Sequence, residues 1–444
     1  MSQTMDGGGA APELLQPVVS KVGARLVWFL VVLYFFSVLD RVNVGFAALS
    51  MNRALGLTAE MFGFGATVFL VGYILLEIPS NVLLVRVGAR RWLARIAVTW
   101  GLATAAMALV YSPVSFYVLR FLVGAAEAGC LPGILYFMTL WFPQSYRGRF
   151  NALFLLSIPL TNALSAPISA ALLSLDGTFG LAGWKWLFLI EGVVSAALGL
   201  VTWRYLDDTP ADAAWLTPGE RETLQRQLDR ERPAARPGQG HGVLAGLTDP
   251  LILALAVAYT GINLQLNTAA FWLPQIFRSF HLSNWGVALC TTIPFACGAA
   301  GMYFWGRHSD RSGERVIHVV LAVLLSSAGW AAAAFSTELY AMVASLSVAA
   351  VGFFAALVVF WTVPPRLLGG ASAATGIALI SAMGGLGSAI GAPIVGRLRD
   401  STGQWTGSLL VVASWALLAP VLLLVLRSRI ARGEPAGAAA VGKV

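Results

Sequence analysis

The stretch Gly306–Arg315, GRHSDRSGER, decides the fold, because it sits between two apolar spans and has a partial copy at Asn81–Arg91, NVLLVRVGARR. The first reads G-x-x-x-D-R-x-G-x-R and the second ends R-x-G-x-R-R. Gly88 and Gly313 are 225 positions apart, and each follows the second apolar span of its half. A charged turn repeated at that distance points to a duplicated chain, two halves carrying the same spans in the same order.

Working outward, apolar text fills most of both halves. The 444 residues are 58% hydrophobic and 11% charged, whereas soluble domains carry about 25% charge. About twelve spans are expected, at 26–49, 61–84, 92–111, 115–138, 150–174, 185–205, 250–277, 285–306, 316–335, 338–361, 372–396 and 406–427. They must be helices, since an open strand would leave backbone groups unpaired in lipid. The expected class is therefore an all-α membrane protein of two pseudo-symmetric six-helix halves. The expected boundaries are a tail over 1–25, a first half over 26–205, a central loop over 206–248, a second half over 249–427 and a tail over 428–444. Within the loop, a surface helix should start near Pro218 and a Pro/Gly linker should follow. Arginines concentrate on the even-numbered loops and the C-terminal tail, which places both termini in the cytoplasm. The net charge of +8 belongs to those loops and not to nucleic-acid binding. Cys130, Cys290 and Cys297 fall inside apolar runs and read as packing residues. The histidines lack metal-ligand spacing, and neither a phosphate loop nor a nucleophile constellation is present, so no cofactor, metal or enzymatic chemistry is expected.

A few ionisable residues break the apolar spans. In SVLDRVNVGFA (Ser37–Ala47), Asp40 and Arg41 are adjacent near the middle of the first span. A charge at that depth costs about 2.5–3.5 kcal/mol on insertion scales, and neighbours on a helix point about 100° apart. Glu77 lies in span 2, while Arg120 and Glu127 lie seven apart, on one face of span 4. Intramembrane charges usually face the bundle interior and mark ion or substrate pathways. Burial favours the uncharged form of an acid, and a neighbouring arginine favours the charged form. An anion that engages the arginine removes this opposition, so anion binding and protonation favour each other. The forked guanidinium of Arg41 suits a carboxylate.

The repeated loop resembles the signature of the major facilitator superfamily. LDRVNVGFA, LEIPSNVLLVRVGARRWLA, RFLVGAAEAGCLPG, LWFPQSYRGR, GWKWLFLIEG, AAFWLPQIFRSF and VFWTVPPRLLGGASAATGIALI further resemble its anion:cation symporter family, over about Leu26–Arg427. The start of the central loop, TPADAAWLTPGER, is most similar to the bacterial branch for tartrate, phthalate and hydroxyphenylacetate uptake. That resemblance implies import of a small organic anion with protons, or less readily sodium, by alternating access across the cytoplasmic (inner) membrane. It makes Asp40 and Glu127 the proton-carrying acids. Arg41 would link Asp40 to the substrate, and Arg120 would partner Glu127 or steady the outer part of the site. Tyr73, Asn267, Trp361 and Ser381 are candidates to bond or stack on substrate. Arg86, Gly88, Arg90, Arg91, Asp310, Arg311, Gly313 and Arg315 read as gate and topology loops, and Glu77 as structural or gating. The sequence departs from the family pattern at Asn81 and Val85, and at Ser381 and Gly385, where many relatives carry asparagines. The expected partners are the anion and the bilayer, with the monomer as working unit. The alternatives are an exporter or exchanger of organic anions and an organophosphate/phosphate antiporter. The lack of a basic residue in span 7 argues against the antiporter.

Overall fold

In the computed structural model, residues 12–155, 157–231, 250–364 and 370–432 are described. The first half comprises α1 (Pro12–Leu55), α2 (Ala59–Val87), α3 (Ala89–Ala106), α4 (Pro113–Glu127), α5 (Cys130–Trp141), α6 (Gln144–Leu155), α7 (Ser157–Leu173) and α8 (Gly183–Tyr205). The helix expected at Pro218 is α9 (Pro218–Glu231). The second half comprises α10 (Pro250–Arg278), α11 (Asn284–Ser312), α12 (Val316–Ala334), α13 (Leu339–Phe360), α14 (Gly370–Thr402), α15 (Thr406–Ala416) and α16 (Leu418–Arg432). Among the described residues, twelve helical units are long and apolar enough to cross a membrane, with α4–α5 and α15–α16 each making one interrupted crossing and α6 and α7 belonging to one more.

The expected tails are shorter in the structure. α1 begins at Pro12, so residues 12–25 are helix and not tail. At 44 residues it is roughly 66 Å long at 1.5 Å per residue, about twice a hydrocarbon core. Its first turns bury Leu15, Val18, Val19 and Val22. Lys21 donates to Glu220 on α9 at 2.8 Å, which holds that carboxyl below its ordinary range. The Gly/Ala/Pro-rich start of the sequence points to a short tail, but α9 packs against the first turns of α1 and gives their apolar face a partner. At the other end α16 continues to Arg432. The linker expected after α9 lies outside the described residues.

Close helix approach sets the interior of the first half. A Cβ on Gly101 of α3 would lie 2.6 Å from the Gly192 carbonyl of α8, and one on Gly192 would lie 2.3 Å from the Ala105 nitrogen. Two glycines facing each other let the backbones meet, and this pins Trp100 against α1 beside Asp40.

Among the described residues, four hydrogen bonds join the halves. Asp400, on α14, accepts from the backbone nitrogens of Ala59 (3.0 Å) and Glu60 (2.7 Å) at the start of α2. Thr67 donates to the Ala389 carbonyl at 2.5 Å, and Thr292 to the Ala163 carbonyl at 3.2 Å. Phe62 also meets Trp272 edge-on at 5.3 Å. The Asp400 bonds lie at the end of the bundle remote from the chain termini, so the halves are fastened there. Losing a carboxylate cap at a helix N-terminus costs about 0.5–2 kcal/mol. Asp400→Ala should therefore loosen this end and speed maleimide labelling of a cysteine placed at Phe62, in a background cleared of the native cysteines. Equal labelling rates would mean that the cap does not hold the halves together.

Candidate functional site

The site is organised by a break in the fourth crossing. RFLVGAAEAGCLPG carries Pro132 four residues after Ala128, and proline has no N–H for the helical bond back to that carbonyl. Ala128 leaves the helical conformation and Gly129 turns left-handed, with φ 88°. The freed Ala128 carbonyl accepts from Ser80 of α2 at 2.7 Å, and Ser80 in turn accepts from the Trp92 indole at 3.0 Å. Glu127 thus becomes the last residue of α4, inside the bundle and fully buried. The C-terminal end of a helix carries partial negative charge and favours a cation nearby.

Arg41 is that cation. Its Nε donates to Glu127 Oε1 at 2.7 Å, and Ser37, one turn earlier on α1, donates to the same oxygen at 2.5 Å. The Arg41 guanidinium stands 4.8 Å from the Tyr73 ring centre and 5.9 Å from that of Phe69. Arg120 lies over Phe69 as well, at 4.5 Å. The two guanidiniums therefore share one aromatic ring. Their surroundings differ: the Arg41 side chain keeps 29% of its surface accessible, while Arg120 keeps 2%. Arg41 Nη2, Glu127 Oε2, and both Nε and Nη2 of Arg120 are buried without a hydrogen-bond partner among the described residues. Of the two roles open to Arg120, an ion pair with Glu127 is not made. Arg41 has taken that carboxylate, and Arg120 forms no salt bridge among the described residues.

Asp40 faces away from this group. Its Oδ2 accepts from the Trp100 indole at 2.5 Å, from Ser195 at 3.1 Å and from Thr104 at 3.5 Å. It is buried between α1, α3 and α8, and Arg41 does not bridge it to the arginine site. The offset of adjacent helical residues separates them, one turned to α8 and the other to α4. One buried acid escaped the sequence reading. Glu191 on α8, in GWKWLFLIEG, is 2% exposed and accepts from Asn43 Nδ2 at 2.5 Å. The signal was present, since an acid inside an apolar run is as costly there as in span 1.

The second half brings neutral groups. Asn267 donates to Asn263 Oδ1 at 3.2 Å and to Ser388 at 3.1 Å. Trp361 donates to the Tyr259 hydroxyl at 3.2 Å. Ser381 is exposed, so Ser388, two turns farther along α14, is the hydroxyl that meets Asn267. Tyr73 joins the arginine site directly.

The first gate loop is tied to the end of α8 and the start of the central loop, and the second is tied within its own half. Arg90 donates through its backbone to Asp208 at 2.8 Å and through Nε to the Trp203 carbonyl at 2.7 Å. Gly88 takes φ 102° beside Asp208. Arg315 pairs with Asp310 at 2.7 Å, and Gly313 closes α11 with φ 70°. Arg86, Arg91 and Arg311 are exposed. Glu77 is half-buried without a salt bridge among the described residues.

A family model described as Major Facilitator Superfamily matches residues 30–377 and again 251–443. A protein of Agrobacterium vitis named "Putative tartrate transporter" is 43% identical, covering 97% of this chain and 95% of that protein. A "Quinolone resistance transporter" of Acinetobacter baumannii is 36% identical, covering 94% and 96%. The crystal structure of a bacterial homologue of the human lysosomal transporter Spinster superposes with a TM-score of 0.76 at 15% identity, covering 95% and 100%.

Proposed function

The chain belongs to the Major Facilitator Superfamily, a multi-pass membrane transporter and not an enzyme, and on that premise we propose that it carries a small carboxylate anion together with protons. The observation that supports this reading is Arg120, a buried guanidinium with two nitrogens unpartnered. An uncompensated buried charge costs several kcal/mol, and a carboxylate laid between Arg120 and the free Nη2 of Arg41 would supply what both lack. Glu127 is the competing acceptor for Arg41. When substrate takes the N–H groups of Arg41, Glu127 loses its counter-ion and takes up a proton. Binding and protonation then reinforce each other, and the loaded site can be carried between the two membrane faces as the halves rock.

The name of the A. vitis relative favours tartrate among the carboxylates, and phthalate, hydroxyphenylacetate and sugar acids share the required charge. Import across the cytoplasmic membrane, cytoplasmic termini and a monomeric working unit complete the proposal. The end fastened by Asp400 then faces outward, and sodium is the alternative coupling ion. The name of the A. baumannii relative favours a second reading, export by the same cycle run in reverse. Purified protein in liposomes with an inward proton gradient should accumulate labelled tartrate or another of these anions above its external concentration. If the transported anion only equilibrates under both a pH gradient and a membrane potential, coupling to protons is wrong.

A further inference from the structure

We propose that Glu191 and Asp40 form one acid pair that shares a proton in the seam between α1, α3 and α8, with the proton resident on Glu191. This rests on the proton-coupled reading of Asp40 and adds an acid that stands apart from the arginine site.

The pair is built as two rungs between α1 and α8. Asp40 and Asn43 are three residues apart on α1, and Glu191 and Ser195 are four apart on α8, so each set shares a helix face. Ser195 donates to Asp40 at 3.1 Å, and Asn43 donates to Glu191 at 2.5 Å. The two carboxyls therefore lie within about one turn of each other along the same seam. Each is 2% exposed.

Neutral groups surround them. From α3 come Trp100 and Thr104, both bonded to Asp40. The cations of α3, Arg90, Arg91 and Arg95, lie in its first two turns, with Arg90 held by Asp208 and Trp203. α7 carries no ionisable residue. On α1, Arg41 is turned to Glu127. On α8, Lys185 stands over the Trp184 ring at 5.4 Å, and Arg204 is in the last turn. Two carboxylates this close in a low-dielectric seam, with no cation among their partners, do not both stay ionised.

Hydrogen bonding decides which one keeps the proton. Asp40 Oδ2 accepts from three donors, while Glu191 Oε2 accepts from one. Donated hydrogen bonds favour the charged form, so charge settles on Asp40 and the proton on Glu191. Each carboxyl also has an oxygen without a partner, Asp40 Oδ1 and Glu191 Oε1, where a proton can sit. Asp40 is then the acid that exchanges its proton during the cycle, next to a neighbour that stays neutral. Stripping the pair of its last proton at alkaline pH would place two charges in the seam and stop the motion of α1 against α8.

The test is anion exchange in liposomes without any gradient, followed against pH, together with infrared titration of the carboxyl carbonyl stretch. Wild-type exchange should fall at alkaline pH. Glu191→Gln, which leaves a single acid and so never places two charges in the seam, should lose this alkaline fall when scaled to its own maximum, and should lose part of the unionised-carboxyl band at neutral pH. An unchanged profile with an unchanged band would overturn the proposal. Asn43→Ala is the second arm, available even if Glu191→Gln does not fold. It removes the hydrogen bond to Glu191, so the band should move in frequency, and an unmoved band would assign the proton elsewhere. Gradient-free exchange does not require proton coupling. Failure of uphill uptake with the expected exchange profile would thus reject the symport reading and keep the pair, while the opposite result would reject the pair alone.

Discussion

Arg120→Met should abolish anion binding while leaving the empty protein at least as stable as the wild type. The usual expectation for a buried side chain is the reverse, because truncation opens a cavity or breaks a contact. Here the guanidinium is buried over Phe69 with Nε and Nη2 unpartnered, so its removal relieves a desolvation cost in the empty state. Methionine is unbranched and fills irregular space, so the packing against Phe69 is largely kept. Removing one partner of a buried charge pair costs about 3–5 kcal/mol, which in affinity is a loss of at least about 100-fold. Thermal unfolding with and without the anion measures both effects. The wild type should be stabilised by the anion and the variant should not, and the empty variant should melt no lower than the empty wild type. Arg120→Lys, which keeps the charge but loses the fork, should fall between them. Stabilisation of Arg120→Met equal to that of the wild type would remove Arg120 from the binding site.

Glu127→Gln should separate binding from coupling. Glutamine keeps the shape of the end of α4 and an acceptor for Ser37, but it removes the charge that competes for Arg41. Anion binding should persist, and exchange of labelled for unlabelled anion with it. Gradient-driven uptake should fall well below the wild-type accumulation ratio, because the proton and anion sites at Arg41 are no longer linked. The pH dependence of affinity should flatten. Full uphill transport by this variant would show that another acid carries the coupled proton.

The duplicated loop and the spacing of apolar spans were enough to read the two-half helical fold, because lipid allows helices and closed barrels and little else. The ends were less legible. α1 runs to Pro12 because α9 covers its apolar face, a contact between segments about 200 residues apart. The charged residues of spans 1 and 4 were recognisable from their cost in an apolar setting, but their partners were not. Asp40 and Arg41 follow each other in sequence and separate in space, and Arg41 reaches Glu127 because Pro132 and Gly129 end α4 there. Glu191 escaped notice although it satisfies the same criterion as Asp40, an acid within an apolar run. Its neighbours Asn43 and Ser195 become meaningful only once α1 and α8 are packed.

The most direct measurement is the number of protons taken up when the purified, detergent-solubilised transporter binds its anion, read by titration in weakly buffered solution near neutral pH. If Arg41 passes from Glu127 to the substrate carboxylate, wild-type protein should take up protons on binding, and Glu127→Gln should take up fewer while still binding. Anion binding with no proton uptake by the wild type, or with uptake equal in the two proteins, would contradict the linkage between Arg41, Glu127 and the anion.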